Sequence, residues 1–178
     1  MLADLPVEVV SLAEYTDFPE TPEMGETFAE NAMQKAREAA EHTGELSLAD
    51  DSGLVIDALG GQPGVYSSRF SGEGASDEDR YLKVLDLMQN VPDEERAARF
   101  VSAVAIAEDG HVTVVEGTRE GVIARSPRGT QGFGYDPVFY LPELGCTMAE
   151  LPLEEKNRIS HRARALEKAK AELRRLIA

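Results

Sequence analysis

Three polar segments, two of which contain glycine, interrupt the apolar runs of this chain and restrict the folds that it can adopt. Each segment joins charged side chains to flexible backbone beside an apolar run, which is how loops on a rigid scaffold present binding and catalytic residues. Their carboxylates suit a metal ion, their aromatic rings suit a flat ligand and their cations suit phosphate. This combination favours a nucleotide as the ligand. The segments cover residues 49–54, 132–137 and 155–162.

The length and the charge of the chain limit the possible functions. The 178 residues, of which 42% are hydrophobic, are enough for one domain over residues 1–178 with a substantial core. A net charge of −15 repels duplex nucleic acid and anionic membranes, so neither is expected as a partner. A site for a nucleoside triphosphate must therefore concentrate lysine and arginine locally or recruit a divalent cation.

Cysteine content and hydropathy predict a soluble, cytoplasmic protein. Cys146 is the only cysteine, which excludes an intrachain disulfide and a cysteine metal cluster. No stretch approaches the roughly 20 apolar residues that a membrane-spanning helix needs, and the acidic amino terminus does not resemble a signal peptide.

Hydrophobic spacing predicts a mixture of helices and strands. A capping box at Thr27 and Glu30 starts the first helix, Gly44 ends it, and the last helix begins at Ser160. Asp109 and Gly110 indicate a hairpin. A further helix is predicted over residues 76–90, and strands over residues 5–10, 46–49, 99–107, 111–117, 121–124 and 138–140.

The two adjacent aspartates are candidate metal and catalytic groups. The predicted strand delivers Asp50 and Asp51 to its end, and because neighbouring strand residues point to opposite faces, only one of them can enter a given site directly. Glu30 is a second candidate carboxylate for Mg²⁺, provided that its helix packs beside this strand. The structural alternatives are a simple turn for the aspartates and a purely capping role for Glu30.

The second and third segments offer groups for a base and for phosphate. Phe133 or Tyr135 can stack on a base, and Asp136 can accept hydrogen bonds from a ring or a sugar; the alternative is a glycine loop whose aromatic rings fill the core. Lys156, His161 and Arg162 supply positive charge, and the last two fall in the first turn of the terminal helix, where the helix dipole disfavours cations. The alternative for this basic pair is an ordinary surface position.

Five motifs in register resemble the inosine triphosphate pyrophosphatase family, whose members hydrolyse non-standard purine nucleoside triphosphates to the monophosphate and pyrophosphate. The resemblance runs in order over nearly the whole chain, and chance reproduces both residues and spacing only rarely. The motifs are Thr27 to Ala32 with Lys35 and Ala36, residues 49–54, residues 63–70, residues 132–139, and Lys156 with residues 159–162.

The resemblance implies an elongated, two-lobed α/β fold with a long mixed β-sheet flanked by helices and a nucleotide cleft between the lobes. It also implies Mg²⁺ dependence and a homodimer. Asp51 becomes the catalytic, metal-associated residue, with Asp50 in support and Glu30 as a second metal ligand. The remaining residues fall at substrate-binding positions of the family: Ser52, Phe133, Gly134, Tyr135, Asp136, Lys156, His161 and Arg162.

The chemistry of the base predicts part of the specificity. Hypoxanthine and xanthine carry an acceptor oxygen where adenine carries an amino group, so donors on His161 and Arg162 favour ITP, dITP and XTP over ATP. Guanine shares that oxygen, and the sequence does not indicate which residue distinguishes its 2-position.

The start of the sequence is the one departure from the family pattern. The resemblance implies a preceding strand and helix with Thr-Gly-Asn and a lysine that grip the triphosphate, a unit of about 17 residues at average element lengths. Without it, we expect weaker triphosphate binding and an exposed sheet edge. The alternatives to a purine nucleotide hydrolase are therefore a catalytically weakened nucleotide-binding or regulatory protein, and a pyrophosphatase for modified pyrimidine nucleotides.

Overall fold

The fold is α/β, with one antiparallel sheet between helices. The computed structural model describes residue 2, residues 4–15, residue 18 and residues 21–178. The strands are β1 (Ser47–Ile56), β2 (Ala97–Glu108), β3 (His111–Ile123), β4 (Phe139–Leu141) and β5 (Cys146–Thr147). The helices are α1 (Phe28–Thr43), α2 (Asp77–Leu87), α3 (Leu153–Ile159) and α4 (His161–Leu176). The strands follow one another across the sheet in chain order and every neighbouring pair is antiparallel, so in the described residues the sheet is not mixed as predicted.

Helix α1 forms where its local signals predict it. The Thr27 side chain accepts a hydrogen bond from the Glu30 amide, and the Glu30 carboxylate accepts one from the Thr27 amide, which completes the capping box. Gly44 ends the helix in the left-handed conformation with φ of 72°. Ala32 and Ala36 are fully buried, and their small side chains let α1 lie close to the sheet.

The long hairpin of β2 and β3 is the centre of the sheet. Asp109 and Gly110 form its turn with positive φ angles of 48° and 78°, as the sequence predicted. Strand β3 continues through Gly117, so the two strands predicted over residues 111–117 and 121–124 are one. A Cβ atom at Gly117 would overlap the carbonyl oxygen of His161 and the nitrogen of Ala165, so this glycine permits α4 to cross β3 closely.

Three apolar clusters make up the core in the described residues. On one face of the sheet α1 packs against Ala103, Ala105 and Ala107 of β2. On the other face α4 packs against Val104 and Ile106. The third cluster joins α2 to the ends of β1, β2 and β3 and to β4, and it contains Leu54, Val84, Met88, Phe100, Ile123, Tyr135, Val138 and Phe139.

Several predicted elements differ in the structure. Residues 5–10 do not form a strand, and Leu5 instead packs into the cluster beneath α4. Strand β1 extends to Ile56, so Asp50 and Asp51 lie in its middle rather than at its end. Strand β5 and helix α3 were not predicted. None of the helices in the described ranges combines the length and the apolar character that crossing a membrane requires.

Candidate active site

Asp50 and Asp51 lie on opposite faces of the sheet, as the two-residue period of a strand predicts. Asp51 is paired with Ala103 of β2 on the face that α1 covers. Asp50 is paired with Val104 on the face that α4 covers. Adjacent carboxylates in one strand therefore belong to two different clusters of polar side chains.

The first cluster surrounds the buried carboxylate of Asp51. Asn31 of α1 donates a hydrogen bond to its Oδ2 at 3.1 Å, and Lys35, one helical turn further, donates to Oδ1 at 2.9 Å. Burial raises the pKa of Asp51 above its ordinary value despite these two donors, and the nearby charge of Glu23 acts in the same direction. This carboxylate is therefore more basic than an exposed aspartate.

Glu23 and Arg69 extend this cluster towards solvent. The Lys35 ammonium lies 2.5 Å from one Glu23 oxygen, and Arg69 lies 3.0 Å from the other. Burial acts to lower the pKa of Lys35, but its hydrogen bonds to Glu23 and Asp51 outweigh burial and raise it. The Lys35 side chain is therefore charged at neutral pH. A cleft of about 400 Å³ opens beside these groups and is lined by Thr21, Pro22, Glu23, Ser68 and Arg69.

The arrangement around Lys35 suits a cation. Its ammonium group lies between the carboxylates of Asp51 and Glu23, which marks a position where positive charge is stabilised. A magnesium ion usually takes one or two carboxylates and completes its coordination with phosphate oxygens and water. No group of three or more potential ligands among histidine, cysteine and the acidic residues was found in the described part of the chain. Asp51 and Glu23 thus offer two carboxylates, the type and number of protein ligands that such an ion takes.

Glu30 lies in the capping box rather than in this cluster. The Oε2 atom of Glu30 accepts hydrogen bonds from the amides of Glu26 at 2.7 Å and Thr27 at 3.2 Å. The capping role, which the sequence left open as the alternative, is the one that the structure shows. No hydrogen bond or ion pair in the described residues joins Glu30 to Asp51, and the role of Glu30 as a metal ligand stays a prediction.

The second cluster contains Asp50, Ser52 and Arg162. Ser52 donates a hydrogen bond to Asp50 Oδ2 at 2.8 Å, and two guanidinium nitrogens of Arg162 lie 3.0 Å from the same oxygen. The guanidinium carbon lies 5.9 Å from the ring centre of Phe133, which is 67% exposed. Asp50 therefore orients the guanidinium group, and Phe133 presents an aromatic face beside it.

Residues 129–135, here called the glycine loop, carry Phe133 and are anchored to the core. Lys156 of α3 donates to the Gln131 carbonyl at 3.0 Å and to Asp136 Oδ2 at 2.7 Å. Both members of the Asp136–Lys156 pair are buried, and a Cβ at Gly132 would overlap their charged atoms. Burial raises the pKa of Asp136, although the attraction of Lys156 acts to lower it. The Asp136 carboxylate is thus buried and paired with Lys156, whereas the Phe133 ring is exposed to solvent.

Tyr135 belongs to the core, as the structural alternative for this loop predicted. Its ring is buried, and its hydroxyl donates to the Ser67 carbonyl at 2.7 Å. The Ser67 hydroxyl donates to the Gly64 carbonyl at 2.6 Å and accepts from the Leu54 amide at 2.9 Å. Ser67 therefore joins β1, residues 63–70 and the glycine loop, which are three of the motifs singled out in the sequence.

His161 starts α4 with its imidazole stacked on Phe100. The ring centres are 4.8 Å apart with an interplanar angle of 19°, and Nδ1 is buried without a hydrogen-bond partner among the described residues. Burial lowers the pKa of His161 to about 4, and the charge of Arg162 adds to the effect. The ring is therefore neutral at neutral pH, and one of its nitrogens carries a proton that it can donate.

Sequence reasoning missed Glu23 and Arg69 and did not select Lys35 as a site residue. Lys35 had a usable signal, because it lies four positions from Asn31 on the same helical face. Arg69 lies within the motif over residues 63–70. Glu23 lies outside every motif that was identified, and its proximity to Lys35 arises only in the tertiary structure.

Comparison with known proteins covers nearly the whole chain. The family model described as the Ham1 family matches residues 1–172 of the chain. The chain belongs to the Ham1 family. Within this family, a protein named dITP/XTP pyrophosphatase from Desulforamulus reducens is 55% identical over 170 residues, covering 95% of this chain and 85% of the relative. A protein with the same name from Geobacter sulfurreducens is 55% identical and covers 93% of this chain and 84% of the relative.

Solved structures of Ham1 proteins show the same fold. The structure of a HAM1 protein from Coxiella burnetii matches with a TM-score of 0.92 and 46% identity, covering 98% of this chain and 89% of the other. The Ham1 protein from Staphylococcus aureus matches with a TM-score of 0.89 and 41% identity, over 94% of this chain and 86% of the other. The resemblance inferred from the motifs is thereby confirmed.

Proposed function

We propose that this chain hydrolyses the non-standard purine nucleoside triphosphates dITP, XTP and ITP to the monophosphate and pyrophosphate. The observation that carries this proposal is the 55% identity, over 95% of the chain, to a relative named dITP/XTP pyrophosphatase. The polar clusters around Asp51 and Arg162, which lie on opposite faces of β1, support it because together they provide a basic carboxylate, cations and an aromatic face.

Asp51 is the proton acceptor in this proposal. A water oxygen forms a bond to the α-phosphorus, the bond from that phosphorus to the bridging oxygen breaks, and pyrophosphate leaves with the bonding electrons. Asp51 takes the proton that the water loses, for which a raised pKa is an advantage. Asn31 and Lys35 hold the carboxylate in place through its two oxygens.

The cationic side chains near Asp51 bind the triphosphate in this proposal. Arg69 lines the cleft, and Lys35 is joined to it through Glu23, which partly neutralises both cations. A phosphate group can replace the contacts that they make with Glu23. Asp51 and Glu23 would hold a Mg²⁺ ion. Such an ion supplies Lewis-acid stabilisation of the charge that develops on the phosphate oxygens.

In this proposal the purine base binds beside Phe133 and Arg162. Phe133 offers a stacking surface, and Arg162, held by Asp50, offers donors to an acceptor oxygen at purine position 6. Neutral His161 has one N–H that can act in the same way. Adenine presents an amino group at that position and would leave these donors unpaired, which lowers its affinity. A homodimer and a cytoplasmic location stay predictions.

The test is pyrophosphate release from dITP, XTP, ATP and GTP at equal concentration with and without Mg²⁺. We expect Mg²⁺-dependent turnover with a strong preference for dITP and XTP. Asp51→Asn keeps the shape of the side chain but replaces one acceptor oxygen with an amide donor and removes the base, so turnover should fall by about a hundredfold or more. Near-normal activity of this variant would exclude the proposed role of Asp51.

The same assay distinguishes the alternative functions. A weakened nucleotide-binding protein would bind dITP in calorimetry without releasing pyrophosphate. A pyrophosphatase for modified pyrimidine nucleotides would be inhibited by pyrimidine triphosphates more strongly than by ITP. Denaturant unfolding of Asp51→Asn serves as the control that the variant is folded.

A further inference from the structure

Besides Asp136, whose Oδ2 accepts a hydrogen bond from the Phe133 amide at 3.4 Å, three side chains hold the glycine loop in place, and one of them has no assigned role. Lys156 holds the Gln131 carbonyl, and Tyr135 binds the Ser67 carbonyl through its hydroxyl. The third is Asp77, the first residue of α2, whose Oδ2 accepts a hydrogen bond from the Gly134 amide at 2.6 Å. Asp77 lies 57 positions earlier in the chain than Gly134, so this contact exists only in the folded protein.

Asp77 is not required to cap its own helix. The cap of α2 is made by Ser76 and Asp79, whose side chains exchange hydrogen bonds with each other's amides at 3.1 and 2.9 Å. The remaining partner of Asp77 is Arg80, at 2.6 Å. Removal of the Asp77 carboxylate therefore leaves the capping box intact and frees the Gly134 amide and the guanidinium group of Arg80, whose side chain is 20% exposed.

Helix α2 is a rigid support for this carboxylate. Val84 and Met88 at its far end are fully buried in the same apolar cluster as Tyr135 and Val138. The glycine loop and α2 are therefore anchored in one core, and the Asp77–Gly134 hydrogen bond joins them again at the surface. Closing a flexible loop at both sides restricts the conformations that its middle can adopt.

Asp77 binds the peptide group that comes immediately after Phe133 in the chain. Gly134 adopts the left-handed conformation with φ of 61°, which a glycine can leave at little cost because many other conformations are open to it. A hydrogen bond from its amide fixes the orientation of the peptide plane between residues 133 and 134. That plane is attached to the Cα atom of Phe133, so its orientation restricts the backbone from which the Phe133 ring projects.

We propose that Asp77 is a positioning residue for nucleotide binding, which holds the glycine loop so that Phe133 stands ready beside Arg162 to receive the base. This inference rests on the proposed function. Asp77 touches neither the base nor the phosphates. It reduces the number of loop conformations that the nucleotide must select from, so its contribution is to affinity and not to the chemical step.

The experiment compares Asp77→Ala, Asp77→Asn and Glu78→Ala in steady-state hydrolysis of dITP. Asp77→Ala releases the loop, so it should raise KM about tenfold, which corresponds to about 1.4 kcal/mol of binding free energy, and leave kcat within about twofold. Asp77→Asn retains an acceptor oxygen and should stay within about threefold of the unmodified KM. Glu78→Ala removes a charge from the same helical turn without a contact to the loop and should leave both constants unchanged.

Hydrogen exchange of the Gly134 amide, measured by NMR, is the second readout. Exchange should accelerate in Asp77→Ala and remain slow in Asp77→Asn and Glu78→Ala. Equal kinetic effects of Asp77→Ala and Glu78→Ala would assign the effect to helix charge and overturn the inference. A fall in kcat at constant KM, or no change in either constant, would overturn it as well.

The outcome for the unmodified chain distinguishes the inference from the proposed function. If that chain binds dITP without hydrolysing it, the proposed activity fails and the dissociation constant replaces KM in the same comparison. If it hydrolyses dITP while Asp77→Ala has an unchanged KM, only the positioning role fails. Thermal denaturation of each variant confirms that the protein is folded.

Discussion

Replacement of Lys156 by methionine tests the buried ion pair that anchors the glycine loop. The side chains of Lys156 and Asp136 are only 9% and 12% exposed, and their charged atoms are 2.7 Å apart. Methionine fills a similar volume but leaves the Asp136 carboxylate and the Gln131 carbonyl without their donor. A buried charge that has lost its partner is strongly destabilising.

The expected magnitude follows from this geometry. Breaking a buried pair by removing one partner costs about 3–5 kcal/mol. For a chain of 178 residues each kcal/mol lowers the melting temperature by roughly 2–4 °C, so Lys156→Met should melt roughly 6–20 °C below the unmodified protein. Calorimetry gives the melting temperature, and urea unfolding gives the free energy of unfolding.

Two further variants make this prediction specific. Lys168→Met removes an ammonium group from the exposed surface of α4, where it donates to the Glu116 carbonyl, and should cost less than about 1 kcal/mol. Asp136→Asn combined with Lys156→Met removes both charges. It should therefore be more stable than the sum of the two single changes predicts, by roughly 1–3 kcal/mol.

The loss of stability in Lys156→Met should depend on pH. Burial already raises the pKa of Asp136, and loss of the lysine raises it further. Between the ordinary pKa and this raised pKa the folded state binds more protons than the unfolded state, so stability falls as pH rises. The difference from the unmodified protein should be smaller at about pH 5 than at about pH 8. Equal stability of Lys156→Met and Lys168→Met would refute the reasoning.

Three other predictions follow from individual contacts. Gly117→Ala places a methyl group against the backbone of α4 and should lower the free energy of unfolding by roughly 1–3 kcal/mol, whereas Glu116→Ala, on the other face of β3, should have little effect in urea unfolding. Tyr135→Phe removes the donor to the Ser67 carbonyl and should cost about 1–3 kcal/mol, with unfolding of Tyr140→Phe as the control. His161 has a pKa of about 4 when folded and 6.5 as a free side chain, so between these values the unfolded chain binds more protons. Its contribution to stability is thus complete above about pH 6.5 and declines as pH falls towards 4. The melting temperature of His161→Gln should therefore fall less than that of the unmodified protein when the pH is lowered over that range.

Local signals predicted the elements that depend on local physics. The capping box at Thr27 and the left-handed Gly44 set the ends of α1, and Asp109 with Gly110 set the turn of the hairpin. Each of these features involves residues within a few positions of one another. Hydrogen bonds and backbone preferences of that range are encoded in the sequence directly.

Predictions that depended on distant partners were less accurate. Residues 5–10 have strand composition but no strand pairing in the structure, because β propensity describes a fit to neighbours and not an intrinsic preference of the backbone. Gly117 was expected to end a strand, but its missing side chain serves the crossing of α4 over β3. Helix α3, which carries Lys156, has only seven residues and gave no periodic signal.

The sequence by itself determined the family, the opposite orientation of Asp50 and Asp51, and the candidate residues in the glycine loop and at the start of α4. These follow from motif order and from the two-residue period of a strand. Only the tertiary structure decided that Glu23, and not Glu30, joins Asp51 through Lys35, that Tyr135 packs inside while Phe133 stays exposed, and that Asp77 holds Gly134. The physical reason is that such contacts join residues tens of positions apart, and their geometry is set by the packing of helices on a sheet rather than by local preference.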